Sequence, residues 1–242
     1  MGKDMNKISA EELEKGIKFI TPKFIAKWPW LTKPDTKYNK GGVFRVTAVL
    51  DPNIPEDLEF LEFVDKMGEV AYEQAKLEIE KEKNAAKRNQ KLKQLVLAPV
   101  SQEELDENGE ATGKVELKFK TYATRRDKDG NEVAVSVPLC DAHRNRLDPE
   151  NTPIGNGSEL RISGMARVSY VPAQVKAHVT LYISAVQVVK LVPYLGGDGK
   201  FSGFSDEEGG YVNTTATDGG DEAEEDCGED KPTFAGSDTG DF

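Results

Sequence analysis

Residues 158–191 read SELRISGMARVSYVPAQVKAHVTLYISAVQVVKL and carry the clearest structural signal in the chain. Apolar and polar side chains alternate on both sides of Pro172-Ala173-Gln174, which is the period of a strand with one buried face. Three connecting residues are few enough to close a hairpin. We therefore predict two long antiparallel strands, at 158–171 and 175–191.

Three shorter segments upstream show the same alternation. They are residues 43–50 (VFRVTAVL), residues 114–125 (KVELKFKTYATR) and a return strand at 133–139, which follows a turn at 127–131. The total is about five strands, and Gly157 and Gly164 allow them to curve. Because a small closed barrel needs curved strands, the sequence predicts a mainly β protein built on a five-stranded OB-fold barrel.

A long helical insertion interrupts this pattern after the first strand. Between residues 56 and 97 the apolar positions, from Leu61 to Ala75, recur at helical intervals in a composition that favours helix. The second half, residues 80–93, is nearly all charged and is expected to project past the core. A shorter helix is predicted over 9–18, where Ser9 and Glu12 form a capping-box pattern.

The acidity of the chain belongs to its C-terminal segment. From residue 205 onward thirteen carboxylates stand against Lys231, a charge of about −12; the whole chain carries −11, so residues 1–204 are near +1. The segment has almost no aliphatic side chains to offset the entropy of ordering it. We predict an OB-fold domain over residues 1–200 and a disordered acidic tail over residues 201–242.

Composition and motifs argue against several classes of protein. Cys140 and Cys227 are the only cysteines, so the sequence predicts no disulfide framework and a location in a reducing cytoplasm. No apolar run is long enough for a signal peptide or a membrane span. Cys140 and His143 form half of a metal site without a second half, and phosphate-loop and nucleophile motifs are lacking. We expect no enzyme, cofactor or metal.

The strongest chemical signal lies in residues 22–45, where Trp28, Trp30 and Tyr38 stand among lysines and an arginine. Single-stranded nucleic acid is bound by such mixtures, since flat rings stack on unpaired bases and cations neutralise phosphates. The same aromatics could instead pack a loop onto the barrel while the lysines are merely solvated. The sequence leaves both interpretations open.

The candidate site residues extend this signal to the outer face of 114–125, the hairpin after it, and basic residues on the later loops and strands. The candidate stacking residues are Trp28, Trp30, Tyr38, Tyr122 and Tyr170. The candidate phosphate-binding residues are Lys23, Lys27, Lys33, Lys40, Arg45, Lys118, Lys120, Arg125, Arg126, Arg144, Arg146, Arg161, Arg167 and Lys176.

Five segments, taken in order, resemble a known family. They are FITPKFIAKW (19–28), GGVFRVTAVLDP (41–52), GKVELKFKTYATRRDKDGNE (113–132), VPLCDAHRNRLDPENTPIGNGSELRISGMARVSYVP (137–172) and VQVVKLVPYLGGDG (186–199). An acidic tail that ends in Asp-Phe completes the set. The chain resembles the single-stranded DNA-binding proteins of phages in the short-tailed coliphage replication group.

This resemblance implies an OB-fold with an inserted helix, binding to single-stranded DNA without sequence preference, and often a homodimer. It also implies that the tail recruits the phage DNA polymerase and helicase-primase and blocks the groove when DNA is absent. Asp238, Asp241 and Phe242 are the candidate docking residues, because an aromatic plug beside acids suits docking better than solvation.

Two functions remain open from the sequence. The first is a DNA-coating protein for phage replication, recombination and repair. The second is an OB-type protein-interaction module whose tail mimics DNA and inhibits a host nucleic-acid enzyme.

Overall fold

A computed structural model of the chain describes residue 13 and residues 15–194. The predictions for the acidic tail, and for most of the short helix at 9–18, lie outside the described residues. The helices are α1 (Pro55–Glu80) and α2 (Ala85–Gln94). The strands are β1 (Ile17–Ile20), β2 (Phe24–Asp35), β3 (Val43–Leu50), β4 (Val96–Leu97), β5 (Ser101–Leu105), β6 (Ala111–Tyr122), β7 (Thr124–Arg126), β8 (Glu132–Ala134), β9 (Leu139–Cys140), β10 (Arg146–Leu147), β11 (Glu159–Val171) and β12 (Lys176–Lys190).

Five strands close on themselves in the order β2–β3–β6–β12–β11 and back to β2. The β6–β12 pair is parallel, and the other four pairs are antiparallel. The two long C-terminal strands form the predicted hairpin, which pairs Val171 with Lys176 at its tip. The mainly β, OB-type fold with five strands in its ring is therefore confirmed. The prediction of a return strand at 133–139 was wrong, because Glu132–Ala134 pairs with β7 in a separate sheet and residues 135–138 belong to no strand. β2, which shows no regular alternation in the sequence, takes that place in the ring.

The inside of the ring is filled by the apolar half of each alternating strand. Leu117, Phe119, Leu160, Ile162 and Leu181 have almost no solvent-exposed surface. The opposite faces of the same strands carry the polar residues, because successive strand side chains point to opposite sides. This division leaves the outer surface of the ring free for charged and aromatic groups.

α1 closes the ring and then continues along the β11–β12 hairpin. Its first half adds buried apolar side chains, among them Phe60 and Val64, to the core around Phe19 and Phe119. Its second half, from Ala71 to Ile79, forms a separate cluster with hairpin residues. No helix in the described part of the chain is long and apolar enough to cross a membrane.

The insertion contains two helices where the sequence predicts one. α1 ends at Glu80, and Asn84 caps α2 by accepting the backbone N–H groups of Ala86 (3.0 Å) and Lys87 (3.1 Å) with its side-chain oxygen. A cap of this kind satisfies orphan N–H donors and starts a new helix. The helix predicted over 9–18 is also shorter at its end, since Ile17 and Lys18 belong to β1.

Three segments line up along one edge of β12. β4 pairs with it at Lys176–Ala177, β6 at Leu181–Tyr182 and β9 at Val186–Gln187, all in parallel. β12 therefore connects the insertion, the central ring strands and the loop after β9 on a single surface.

Candidate nucleic-acid interface

The outer surface of β2, β3 and β6 places an aromatic ring and two cations side by side. Trp30 on β2 is paired with Arg45 on β3, and Arg45 is paired with Lys120 on β6. All three side chains are exposed. Because paired residues on one sheet face have Cβ atoms about 5 Å apart, the three groups lie within reach of one short stretch of nucleic acid. We call Trp30, Arg45 and Lys120 the central row.

A buried carboxylate fixes Arg45 in this row. The Arg45 Nη2 atom lies 2.7 Å from Oδ2 of Asp35, whose side chain is 9% exposed, whereas that of Arg45 is 47% exposed. Asp35 also accepts the backbone N–H of Lys37 at 2.9 Å. The ion pair orients the guanidinium and leaves donors of its fork directed to solvent.

The residues on either side of the central row differ in charge. On the side of the ring toward the turn at 36–42, Tyr122 is paired with Val43 and is 45% exposed. On the other side, Lys118 donates to the side-chain oxygen of Gln102 at 3.1 Å. Lys118 keeps its positive charge in this contact, since the amide is neutral.

Lys27 does not offer a free charge. Its Nζ atom lies 2.6 Å from Oε1 of Glu104 and 3.0 Å from Oε1 of Glu116. The hydrogen bond to Glu104 is the main cause that raises the pKa of Lys27. For Glu104 burial acts to raise the pKa, but hydrogen bonds from Lys27 and Thr112 outweigh it and the pKa is lowered. This placement does not fit the phosphate-binding role predicted for Lys27.

Trp28 is held outward by an unusual backbone. β2 has one more residue than β3 between the Lys27–Thr47 and Trp30–Arg45 pairs, so Trp28 lies in a bulge. Its φ is +52°, a left-handed value that is an outlier for a bulky side chain, and its N–H donates to Oδ1 of Asn156 at 2.7 Å. The ring is 65% exposed. Backbone strain that exposes a large apolar ring points to a binding role.

The turn between β2 and β3 and the β7–β8 arm rise from the same end of the ring. Tyr38 is 83% exposed at the turn, with Lys37 Nζ 5.2 Å from its ring centroid. The N–H of Ala123, which precedes the arm, donates to the carbonyl of Gly42 at 3.0 Å. Lys33, Lys40, Arg125 and Arg126 are exposed at this end.

A basic loop at 141–145 follows β9, which pairs with the same edge of β12 as β6 does. Gln187 donates its side-chain amide to the carbonyls of Asp141 (3.2 Å) and Ala142 (3.1 Å), and this contact ties the loop at 141–145 to the ring. Arg144 has a φ of +69° and is exposed, as is Arg146.

The central row lies within the part of the chain that matches a known protein family. The model of the family described as single-stranded DNA-binding protein of bacteriophage T7 matches residues 24–191, from the first residue of β2 to one residue past β12. The chain belongs to this family. The resemblance found in the sequence is thereby confirmed.

Two curated relatives and one solved structure agree with the assignment. The chain is 28% identical over 212 residues to the single-stranded DNA-binding protein of Enterobacteria phage T3, covering 81% of this chain and 85% of the relative. It is 29% identical over 184 residues to that of Escherichia phage T7, covering 72% of each. The crystal structure of gp2.5, a single-stranded DNA-binding protein encoded by T7, shares the fold: the TM-score is 0.58 at 23% identity over 82% of this chain and 100% of that chain.

Several other candidate residues of this family member lie away from the central row. Tyr170 packs against the second half of α1, and its buried hydroxyl has no hydrogen-bond partner among the described residues. Arg161 is half-buried and donates from Nε to the carbonyl of Thr21 at 3.3 Å. Lys23 is exposed, but its Nζ lies 3.7 Å from Glu159. We therefore leave these three out of the proposed interface.

Tyr182 is the member of the surface that the sequence did not identify as a stacking residue. It is paired with Lys120 across the parallel β6–β12 ladder, which places it next to the central row. Arg167 lies with its guanidinium carbon 5.8 Å from the Tyr182 ring centroid. Alternation within β12 does show that Tyr182 faces outward, but only the closing of the ring makes Lys120 its neighbour.

Proposed function

We propose that this protein binds single-stranded DNA without sequence preference and acts in the replication, recombination and repair of phage DNA. The central row is the observation that carries the proposal, since it combines a flat ring with two cations on an open surface. The T3 and T7 relatives are single-stranded DNA-binding proteins, which supports the same activity.

The chemistry of this surface suits unpaired strands. Exposed rings of Trp28, Trp30, Tyr38 and Tyr122 can stack on any base, because every base has a π-face. Such stacking contributes about 1–3 kcal/mol per base by alanine substitution. The cations contact phosphates, which carry no sequence information.

Intrinsic fluorescence tests the proposal directly, because Trp28 and Trp30 are the only tryptophans and both lie on the proposed surface. Titration with oligo-dT is expected to quench their emission, whereas duplex DNA of equal charge should have little effect at moderate salt. No response to either ligand would contradict the proposal and favour the protein-interaction module. The structure offers no observation that favours that second function.

A charge-removing pair of substitutions assigns the binding to the central surface. Lys118→Gln with Lys120→Gln removes two exposed cations without stranding a buried group, whereas Arg45→Gln would leave Asp35 buried and unpaired. We expect the slope of log K against log salt to fall by about 1.4 in magnitude. Lys66→Gln with Lys76→Gln, on α1, removes the same charge and is the control, which should leave the slope unchanged. Because Lys76 is ion-paired with Glu73, thermal unfolding of this control is measured as well.

We also propose that the acidic tail recruits the replicative DNA polymerase and helicase-primase, with Asp238, Asp241 and Phe242 as docking residues, and that the chain forms a homodimer. These proposals are supported by the tail sequence and by the family membership. Deletion of Phe242 should abolish co-purification with both enzymes and leave oligo-dT binding intact. Analytical ultracentrifugation of the full chain measures the oligomeric state.

A further inference from the structure

The two helices of the insertion carry opposite charge. α1 has nine carboxylates against Lys66 and Lys76. α2, with the sequence AAKRNQKLKQ, has Lys87, Arg88, Lys91 and Lys93 and no acid. No side chain of α2 is fully buried. A short helix with this composition contributes little to the core, so its charge needs another explanation.

Within residues 15–194 the carboxylates of α1 form no ion pair with the basic side chains of α2. In the described part of the chain the ion pair of Lys91 joins it to Glu82, at 3.1 Å, and not to α1. Lys83, Lys87 and Lys93 are exposed and have no ion pair within residues 15–194. The charges of these three lysines are therefore not neutralised by a direct ion pair, although Lys87 interacts with Glu82 at longer range. We call Lys83, Lys87 and Lys93 the α2 patch.

The segment that follows α2 joins the ring at the edge of β12. α2 ends at Gln94, and β4 follows at once and pairs with β12 at Lys176, an exposed lysine. Tyr182, beside the central row, lies six residues farther along β12, or about 20 Å at the rise of a strand. β12 thus runs from the neighbourhood of the central row to Lys176, where the segment after α2 joins its edge.

A groove marks the contact between the insertion and the β11–β12 turn. A cavity of about 400 Å³ lies there, lined by the end of α1, the 81–83 turn, Lys91, Tyr170 and Pro172. The loop between the last two strands of an OB-fold is a common site for oligonucleotides. Lys81, Lys83 and Lys91 line the groove together with Glu78 and Glu82, and Lys83 is the lysine among them without an ion pair to these acids.

We propose that the α2 patch is a second phosphate-binding surface for single-stranded DNA. It extends the path of the bound DNA strand beyond the central row by way of Lys176. The inference rests on the proposed function. Its ligand is the sugar-phosphate backbone, since the patch holds lysines but no exposed aromatic ring. A DNA strand must therefore exceed a minimum length before its phosphates contact the α2 patch.

The test uses the full chain with Lys87→Gln and Lys93→Gln together, a change that keeps helix propensity. Lys66→Gln with Lys76→Gln on α1 removes the same charge from the same insertion and is the control. Affinity is measured for oligo-dT of about 4 to 16 nucleotides, the range of OB-fold site sizes, over a series of salt concentrations. Thermal unfolding confirms that each variant is folded.

We expect the α2 variant to bind the longest strand roughly tenfold more weakly at about 0.2 M salt, with a salt slope about 1.4 smaller in magnitude. Binding of the shortest strand and of every strand by the control should not change. An unchanged slope for the long strand would overturn this inference alone. Tighter binding would also overturn it, because a phosphate-binding surface loses affinity when its positive charge is removed. Failure of the unsubstituted protein to bind any DNA strand would overturn the proposed function itself.

Discussion

Gly164 is the residue on which the path of β11 depends. A Cβ atom there would lie 2.2 Å from the Tyr182 carbonyl oxygen and 2.5 Å from Cζ of Phe19. The register between β11 and β12 also shifts between Ser163 and Gly164. Because backbone and a packed ring block both sides, Gly164→Ala should destabilise the protein by about 3 kcal/mol or more in urea unfolding. Ser163→Ala, at the exposed neighbour, should change stability by less than about 0.5 kcal/mol.

Arg144 occupies a backbone position that glycine fills elsewhere in the chain. Loops that begin at Asp106, Asp127 and Asp141 share one hydrogen-bond pattern, in which the carboxylate accepts the N–H groups two and four residues later at 2.8–2.9 Å. The residue three positions after the aspartate has a positive φ in each loop: +81° at Gly109, +85° at Gly130 and +69° at Arg144. An arginine is strained in this region, and glycine is not.

We therefore expect Arg144→Gly to separate stability from binding. Relief of strain, reduced by the greater freedom of glycine in the unfolded chain, should raise the free energy of unfolding by about 0.5–1 kcal/mol. Affinity for oligo-dT should fall, since an exposed cation is lost. The reverse change, Gly109→Arg, is the control and should destabilise its loop. A less stable Arg144→Gly variant would show that the loop holds arginine without strain.

At the scale of elements, the sequence predicted the strands and helices that depend on residues close to one another along the chain. The β11–β12 hairpin follows from alternation over 158–191, and its bounds agree closely with the prediction. The break between α1 and α2 was missed, because the Asn84 cap lies inside a run of charged residues that favours helix throughout. The capping pattern at Ser9 likewise gave no sign that Ile17 starts a strand, since the partner of β1 lies nearly 150 residues away.

The candidate site was predicted in its composition but not in its arrangement. The mixture of rings and cations at 22–45 made Trp30 and Arg45 candidates from local sequence, and their role in binding stays a prediction. The neutralisation of Lys27 by Glu104, and the packing of Tyr170 against α1, depend on contacts distant in sequence. Pairing of Lys120 with Tyr182 likewise exists only after the ring has closed.

The start of α1 provides a test of pH dependence. Asp57 is 5% exposed and accepts the N–H of Asp51 at 2.8 Å. Burial is the main cause that raises its pKa, and the nearby carboxylates of Asp51 and Glu56 add to it. A carboxyl with a raised folded-state pKa binds its proton more tightly in the folded state, so its contribution to stability falls as pH rises from the ordinary aspartate pKa through the raised value.

Asp57→Asn removes this titration and keeps an acceptor for the Asp51 N–H. We expect the variant to be more stable than the unsubstituted protein at neutral pH, with the difference vanishing below the ordinary aspartate pKa. Urea unfolding from about pH 3 to pH 8 measures it, with the exposed Asp65→Asn as the control for loss of one charge from α1. A difference that grew toward acid pH would contradict the assigned cause.

At the scale of the whole molecule, a nearly neutral body is joined to a segment of about −12. A tethered polyanion competes with DNA for the same cations at a high effective concentration. Removal of residues 205–242 should therefore raise affinity for oligo-dT several-fold at about 0.05 M salt. The gain should shrink toward about 0.3 M, because salt screens the tail and the phosphates alike. A full-length variant whose tail carboxylates are all amides is the control for tail length and should behave as the truncated chain does. Equal affinities of all three proteins across the salt series would show that the tail does not reach the DNA-binding surface, and its charge would then serve only its partners.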